Sequence, residues 1–271
     1  MIFHLEAVQA IEWTTRLVAF YVLLDAAEKL RNFREFADSG VFNWTDLREH
    51  LFFQRRSNLA RRIFDALFAR RIWLAAQVLR ALCAAHLLFS PERSLTGGVE
   101  IIILFVVGSL SNLRMTPYEA ETENRFSLTI IGALMLRQLE PTPFIDQICL
   151  WFIALQLCLS YATAGIVKLL NEGWRGGNGL FNVVNASSLA RYGEIARFFS
   201  RHRALARNLT WLSVAVECAF PLVLFVGKPY FWAFLAWGLL FHFLNAVALG
   251  LNKFFWAWIG AYPALIFVAG K

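Results

Sequence analysis

The sequence predicts an all-α, polytopic transmembrane bundle of about eight spans, and three observations predict it. Hydrophobic residues make up 58% of the 271, with 26 Phe, 10 Trp and a mean hydropathy of +0.52; a soluble domain is nearer half apolar. Several runs approach the roughly 20 apolar residues that cross a bilayer. The basic residues fall mostly in the loops between those runs, so membrane topology accounts for the net charge of +7 without nucleic acid as a partner. The chain reads as a single transmembrane domain over 1–271.

The first span runs from Ala10 to Leu30 and is unusually polar. Glu12 and Arg16 are four apart and can pair on one face, so this helix either faces the bundle interior or lies at the interface. Glu6, Glu12, Arg16, Asp25 and Glu28 interrupt the first 30 residues, which therefore lack the apolar core of a cleavable signal. A loop with nine arginines follows, from Arg31 to Arg71. Its second half, HLFFQRRSNLARRIFDALFARR, predicts an amphipathic interfacial helix. Phe64, Leu67 and Phe68 share a face, and Arg55, Arg62 and Arg70 lie roughly opposite. Arg61 and Arg71 fall nearer the apolar side. The pattern fits a helix lying on an anionic leaflet.

Ile72 to Phe89 is the second span, and its His86 is expected to be hydrogen-bonded inside the bundle rather than to act as a ligand. Val99 to Leu113 and Phe126 to Leu139 are short, about 15 residues each. Between them TPYEAETENR predicts a solvated acidic loop, with Asn124 and Arg125 at the mouth of the next helix.

The long run from Phe144 to Leu170 ends in the stretch around which the chain is organised, LSYATAGIVKLLNEGWRGGNG. On a helix Tyr161, Gly165 and Lys168 share one face. Ala164 and Gly165 leave that face without bulk, so a neighbouring backbone can come close. The region 171–207 is polar and Arg-rich, and its four early glycines predict a turn or a re-entrant segment. GGNG is followed by no GKS or GKT and does not match a phosphate loop. Asn208 to Val226 carries Glu217, Tyr230 to Gly250 carries His242 and Asn245, and Phe254 to Val268 closes the chain.

Numbering the loops in order, the odd ones hold eighteen basic residues and the even ones two. The positive-inside rule then places the odd loops in the cytoplasm and both termini outside. Cys83, Cys149, Cys158 and Cys218 all fall in apolar runs and read as buried free thiols.

Three intramembrane polar sites stand out. Lys168 is either snorkelling to the interface from a helix end or is held at membrane depth, where its charge is costly and a neutral lysine can act as a general base. Glu217 either neutralises an arginine or serves as an acid. His242 either bonds to a neighbouring helix or acts with Asn245, which is three residues on and shares its helix face. A base, an acid and a histidine in one bundle form a candidate catalytic constellation. No HExxH-type spacing, nucleophile elbow or nucleotide-binding glycine fingerprint is present, so no metal site is expected.

YATAGIVKLLNEGW, followed downstream by LLFHFLNAVALGLNKFFWAWIGAYPAL, resembles the membrane core of the vitamin K-dependent gamma-carboxylase and its bacterial relatives, the HTTM-domain proteins. The shared pattern is Y-x-x-A-G-x-x-K-L, a Trp, then a helix with F-H-x-x-N and a small-residue and aromatic final span. EFADSGVF, Glu35 to Phe42, resembles a segment after the first helix in the same family. The resemblance implies that Lys168 acts as the base toward a reduced, vitamin K-like quinone. It implies that His242 and Asn245 line the same cavity, and that Glu217 stands where relatives carry an acid before a proline. Tyr161, Trp174 and Asn124 join them as candidate substrate-binding positions.

Two departures narrow the expectation. The carboxylase has an Asn-His pair where this sequence reads Asn124-Arg125. The sequence also ends at Lys271, without the large soluble part that holds the carboxylase substrate. What remains implied is quinol-linked or peptide-modifying chemistry, of lyase or oxidoreductase type, in a bacterial inner membrane with a peptide or soluble protein as partner. The carboxylase works on the outer-facing side, whereas the charge count puts the Lys168 end inside. The alternative is a non-catalytic membrane partner in peptide maturation, export or transport.

Overall fold

The computed structural model describes residues 5–37, 39–50, 58–90, 95–116, 122–186 and 192–270. All the regular secondary structure in these residues is helical. Helices suit a bilayer because they satisfy every backbone N–H and C=O within the segment. Among the described residues five helices are long and apolar enough to cross a membrane, Ala7–Arg31, Arg70–Phe89, Gly97–Met115, Pro143–Leu170 and Lys228–Leu249. The chain divides into two compact units, Ile11–Cys149 and Leu150–Lys271 with Met1–Ala10.

The first unit contains α1 (Ala7–Arg31) from Ile11 onward, α2 (Trp44–Leu47), α3 (Asn58–Leu67), α4 (Arg70–Phe89), α5 (Leu95–Met115), α6 (Thr122–Arg137) and the start of α7 (Pro143–Leu170). α4 packs on α5 and α5 on α6. The polar residues of α1 sort into two kinds. Glu12 and Arg16 pair on a half-exposed face, as their spacing predicts. Asp25 and Lys29 are buried one turn apart, with the ammonium 2.6 Å from the carboxylate, and Arg80 of α4 reaches the same carboxylate at 2.5 Å. Buried charges persist only when paired in this way.

After α1 the described residues turn back on themselves. A 3-10 turn at Phe33–Phe36 leads back so that the Phe42 N–H donates to the Glu35 carbonyl. Phe36 then joins Phe68, Trp73 and Met115 in a buried cluster, with Phe42, Trp44 and Phe64 packed against it. Arg114 of α5 closes this cluster. Its guanidinium is fully buried, lies 4.7 Å from the Trp73 ring, and donates to the carbonyls of Phe68 and Phe42 at 3.0 Å each. Of the amphipathic stretch, α3 forms, with Phe64 and Phe68 turned into protein and Leu67 exposed; Arg55 lies outside the described residues. The acidic loop is likewise outside them over 117–121.

The second unit contains the rest of α7, then α8 (Glu172–Arg175), α9 (Gly179–Ala186), α10 (Tyr192–Arg201), α11 (Arg203–Ala219), α12 (Lys228–Leu249), α13 (Asn252–Ile259) and α14 (Tyr262–Ala269). Two of its elements differ from the continuous spans the sequence predicts. The run carrying Glu217 is helical to Ala219 and then tightens into a 3-10 turn at Phe220–Leu224, because Pro221 lacks the N–H that an α-helix needs. The closing run breaks at Gly260 and Ala261, with Pro263 in the first turn of α14. The Gly-rich region holds three short helices, joined at its start by a turn in which Gly177 takes a φ of 80°. In the first unit, by contrast, the third predicted span is longer than expected, extending over all of α5.

Candidate functional site

α7 has 28 residues, so at about 1.5 Å per residue it is about 42 Å long, some 12 Å more than a hydrocarbon core. Its last turns carry Tyr161, Gly165 and Lys168. Gly165 decides what Lys168 meets. A Cβ at this position would lie 2.6 Å from the Cys218 backbone nitrogen, so only a glycine admits the backbone of α11 here. That approach brings in Glu217. The Lys168 ammonium donates to both of its carboxylate oxygens, at 2.6 and 2.7 Å. Glu217 is 2% exposed, whereas Lys168 is only half-buried. The lysine therefore ends against a buried carboxylate.

Two rings wall the ammonium. Trp174 lies 4.8 Å from Nζ and Phe241 5.3 Å, within cation–π range. Trp174 is set by local sequence. The Asn171 side chain accepts from the N–H groups of Gly173 and Trp174 and caps α8. The indole then rests on Gly179, where a Cβ would lie 2.3 Å from the ring.

Deeper on the same face of α7, Tyr161 stacks on Phe220 with centroids 3.8 Å apart. Its hydroxyl is 3.0 Å from that of Tyr262. Gly238 of α12 makes room for both hydroxyls, since a Cβ there would sit 2.7 Å from one and 2.2 Å from the other. One turn along α12, His242 is 2% exposed among Tyr161, Phe241, Phe254 and Trp258. Neither of its ring nitrogens is hydrogen-bonded within the described residues. A buried imidazole normally has a partner, and this one offers a donor and an acceptor to whatever reaches it.

Lys168, Glu217, Trp174, Tyr161 and His242 thus lie in one neighbourhood of the second unit. Asn245 is half-buried three residues beyond His242, and its backbone carbonyl accepts the Gly250 N–H that ends α12. Asn124 belongs to the first unit, where it is buried and accepts the Tyr21 hydroxyl. Phe241 and Tyr262 escaped the sequence reading. The signal for Tyr262 was a tyrosine inside an apolar run, because a buried phenol needs a hydrogen-bond partner.

None of the four cysteines is in a disulfide; Cys83, Cys149 and Cys158 are buried and Cys218 is half-buried. Among the described residues no three His, Cys, Asp or Glu side chains are grouped to hold a metal ion. Compared with protein-family models, curated proteins and solved structures, the chain matches none.

Proposed function

We propose that the chain is an integral membrane enzyme of HTTM type, with the eight spans, interfacial helix and bacterial inner-membrane location that its sequence implies. In this reading it acts on an aromatic hydroxyl compound of the reduced-quinone class. The observation that carries it is the ion pair of half-buried Lys168 with buried Glu217, beside a histidine whose ring nitrogens have no hydrogen-bond partner within the described residues. The residues fit such a compound. Trp174 and Phe241 offer flat apolar faces, and His242 offers a hydrogen bond to a hydroxyl. A reduced quinone supplies ionisable hydroxyls and an electron pair.

The chain supplies the proton handling. With Lys168 held as an ion pair, the carboxylate of Glu217 is the group that accepts a proton. Lys168 then remains as the ammonium beside the negative charge left behind, which is electrostatic stabilisation in a water-poor site. The base that the resemblance assigns to Lys168 becomes a property of the two residues together.

A second reading, the non-catalytic membrane partner, is favoured by the same bidentate geometry, since two of the three ammonium hydrogens are already used within the protein. The double variant Lys168→Met/Glu217→Leu separates the two, because replacing a whole buried pair with apolar residues usually leaves stability intact. Mass spectrometry of the purified protein and of this variant tests the proposal. A bound quinone-class molecule lost in the folded double variant supports it. A wild type that takes up no added ubiquinol-type or menaquinol-type compound, and a double variant that keeps its biological activity, refute it.

A further inference from the structure

α4 has 20 residues, about 30 Å of helix, which is the thickness of a hydrocarbon core. Its end therefore falls where hydrocarbon gives way to headgroups, the depth at which lipid ester groups lie. His86 is one turn before that end and Ser90 closes the helix. The Ser90 hydroxyl is 2.7 Å from His86 Nε2. The other ring nitrogen, Nδ1, is 2.7 and 2.9 Å from the two carboxylate oxygens of Glu100, which is on α5. A single neutral tautomer satisfies both contacts: Nδ1–H donates to Glu100, and Nε2 accepts from the Ser90 O–H.

We propose that Ser90, His86 and Glu100 are a nucleophile, general base and orienting carboxylate that hydrolyse carboxylic esters of apolar acyl chains. The order of the three groups is the one acyl transfer requires, a hydroxyl bonded to an imidazole that is held by a carboxylate. The His86 side chain is 47% exposed and that of Glu100 16%, so the base is reachable while its partner is shielded. The acyl preference comes from the surroundings. Leu82, one turn before His86, and Phe89, beside Ser90, are exposed apolar side chains, Phe89 at 84%. Val99, next to Glu100, is exposed as well.

In the reaction Ser90 Oγ bonds to the ester carbonyl carbon as its proton passes to His86 Nε2, and Glu100 holds the imidazolium. His86 returns that proton to the departing alcohol oxygen, leaving an acyl-serine. Water attacks this ester with His86 again taking the proton. The acid is released and the serine hydroxyl restored, so ester plus water gives acid plus alcohol. α5 begins five residues after Ser90, and the positive end of its dipole favours negative charge developing nearby. The site lies within the first unit and shares no residue with the Lys168 neighbourhood, so it stands or falls separately.

The test uses the whole protein in detergent, treated with a fluorophosphonate probe, with the adduct located by peptide mass spectrometry. The expected result is an adduct on Ser90 that is absent in Ser90→Ala. Hydrolysis of p-nitrophenyl acyl esters should be faster for longer chains, and slowed by at least about 100-fold in His86→Gln. A wild-type protein with no adduct on Ser90, under conditions that label a known serine hydrolase, overturns the proposal. Ester hydrolysis unchanged in both folded variants overturns it equally.

Discussion

Lys168→Met isolates the electrostatics of the candidate site. Methionine keeps the length and apolar stem of lysine, so packing against Trp174 and Phe241 changes little. What disappears is the ammonium that bonds both oxygens of Glu217 at 2.6 and 2.7 Å. Glu217 is 2% exposed and cannot recover that interaction from water. Removing one partner of a buried pair costs about 3–5 kcal/mol. For a chain of this size that lowers the unfolding midpoint by on the order of 10 °C. Adding Glu217→Leu removes the stranded carboxylate, and the double variant should recover most of the loss. The assay is thermal unfolding in detergent, followed by intrinsic fluorescence, on wild type, both single variants and the double. Their double-mutant cycle gives a coupling energy well above 1 kcal/mol if the pair exists as described. Additive single effects, or a Lys168→Met midpoint within about 2 °C of wild type, would mean that the two charges are not coupled in the folded protein.

Three further outcomes are expected from the packing. Gly165→Val should force α11 away from α7, because a Cβ there meets the Cys218 backbone at 2.6 Å; the expected loss is about 1–3 kcal/mol, read as a lower midpoint. Asp25→Asn leaves Lys29 and Arg80 without the carboxylate they share, and a loss of about 3–5 kcal/mol should appear as poor yield of folded protein and a lowered midpoint. Arg114→Leu removes the charged hydrogen bonds to the carbonyls of Phe42 and Phe68, at about 1.5–3 kcal/mol for each bond lost, and proteolysis should then open the segment that holds Phe36 and Phe42.

Much of the architecture was legible from the residues. Long apolar runs read as helices, because backbone polar groups in lipid have no other way to be satisfied. Boundaries followed local chemistry less faithfully. Pro221 shortens one predicted span and Gly260 with Pro263 splits another, although hydropathy over the same windows is continuous. Average hydropathy reports the cost of leaving water and is blind to a missing N–H. The polarity of α1 was visible, but its division into a half-exposed pair, Glu12 and Arg16, and a buried one, Asp25 and Lys29, was not; the second depends on Arg80 arriving from another helix.

The candidate site divides in the same way. Sequence alone determined that Lys168 needed an explanation, because a charge so near an apolar run is expensive, and that Gly165 left space beside it. It also showed the apolar run breaking into a glycine-rich segment around Trp174. Only the tertiary structure decided that the explanation is Glu217, 49 residues away, and that Phe241 and Trp174 share the ammonium. Likewise His86 read as one polar residue in a span, and its spacing to Ser90 was there to see. Glu100 joins them only because α4 packs against α5. Spacing along a helix fixes which side chains share a face, since that geometry is local. Which charge meets which across helices depends on how the faces pack, and no local pattern carries that information.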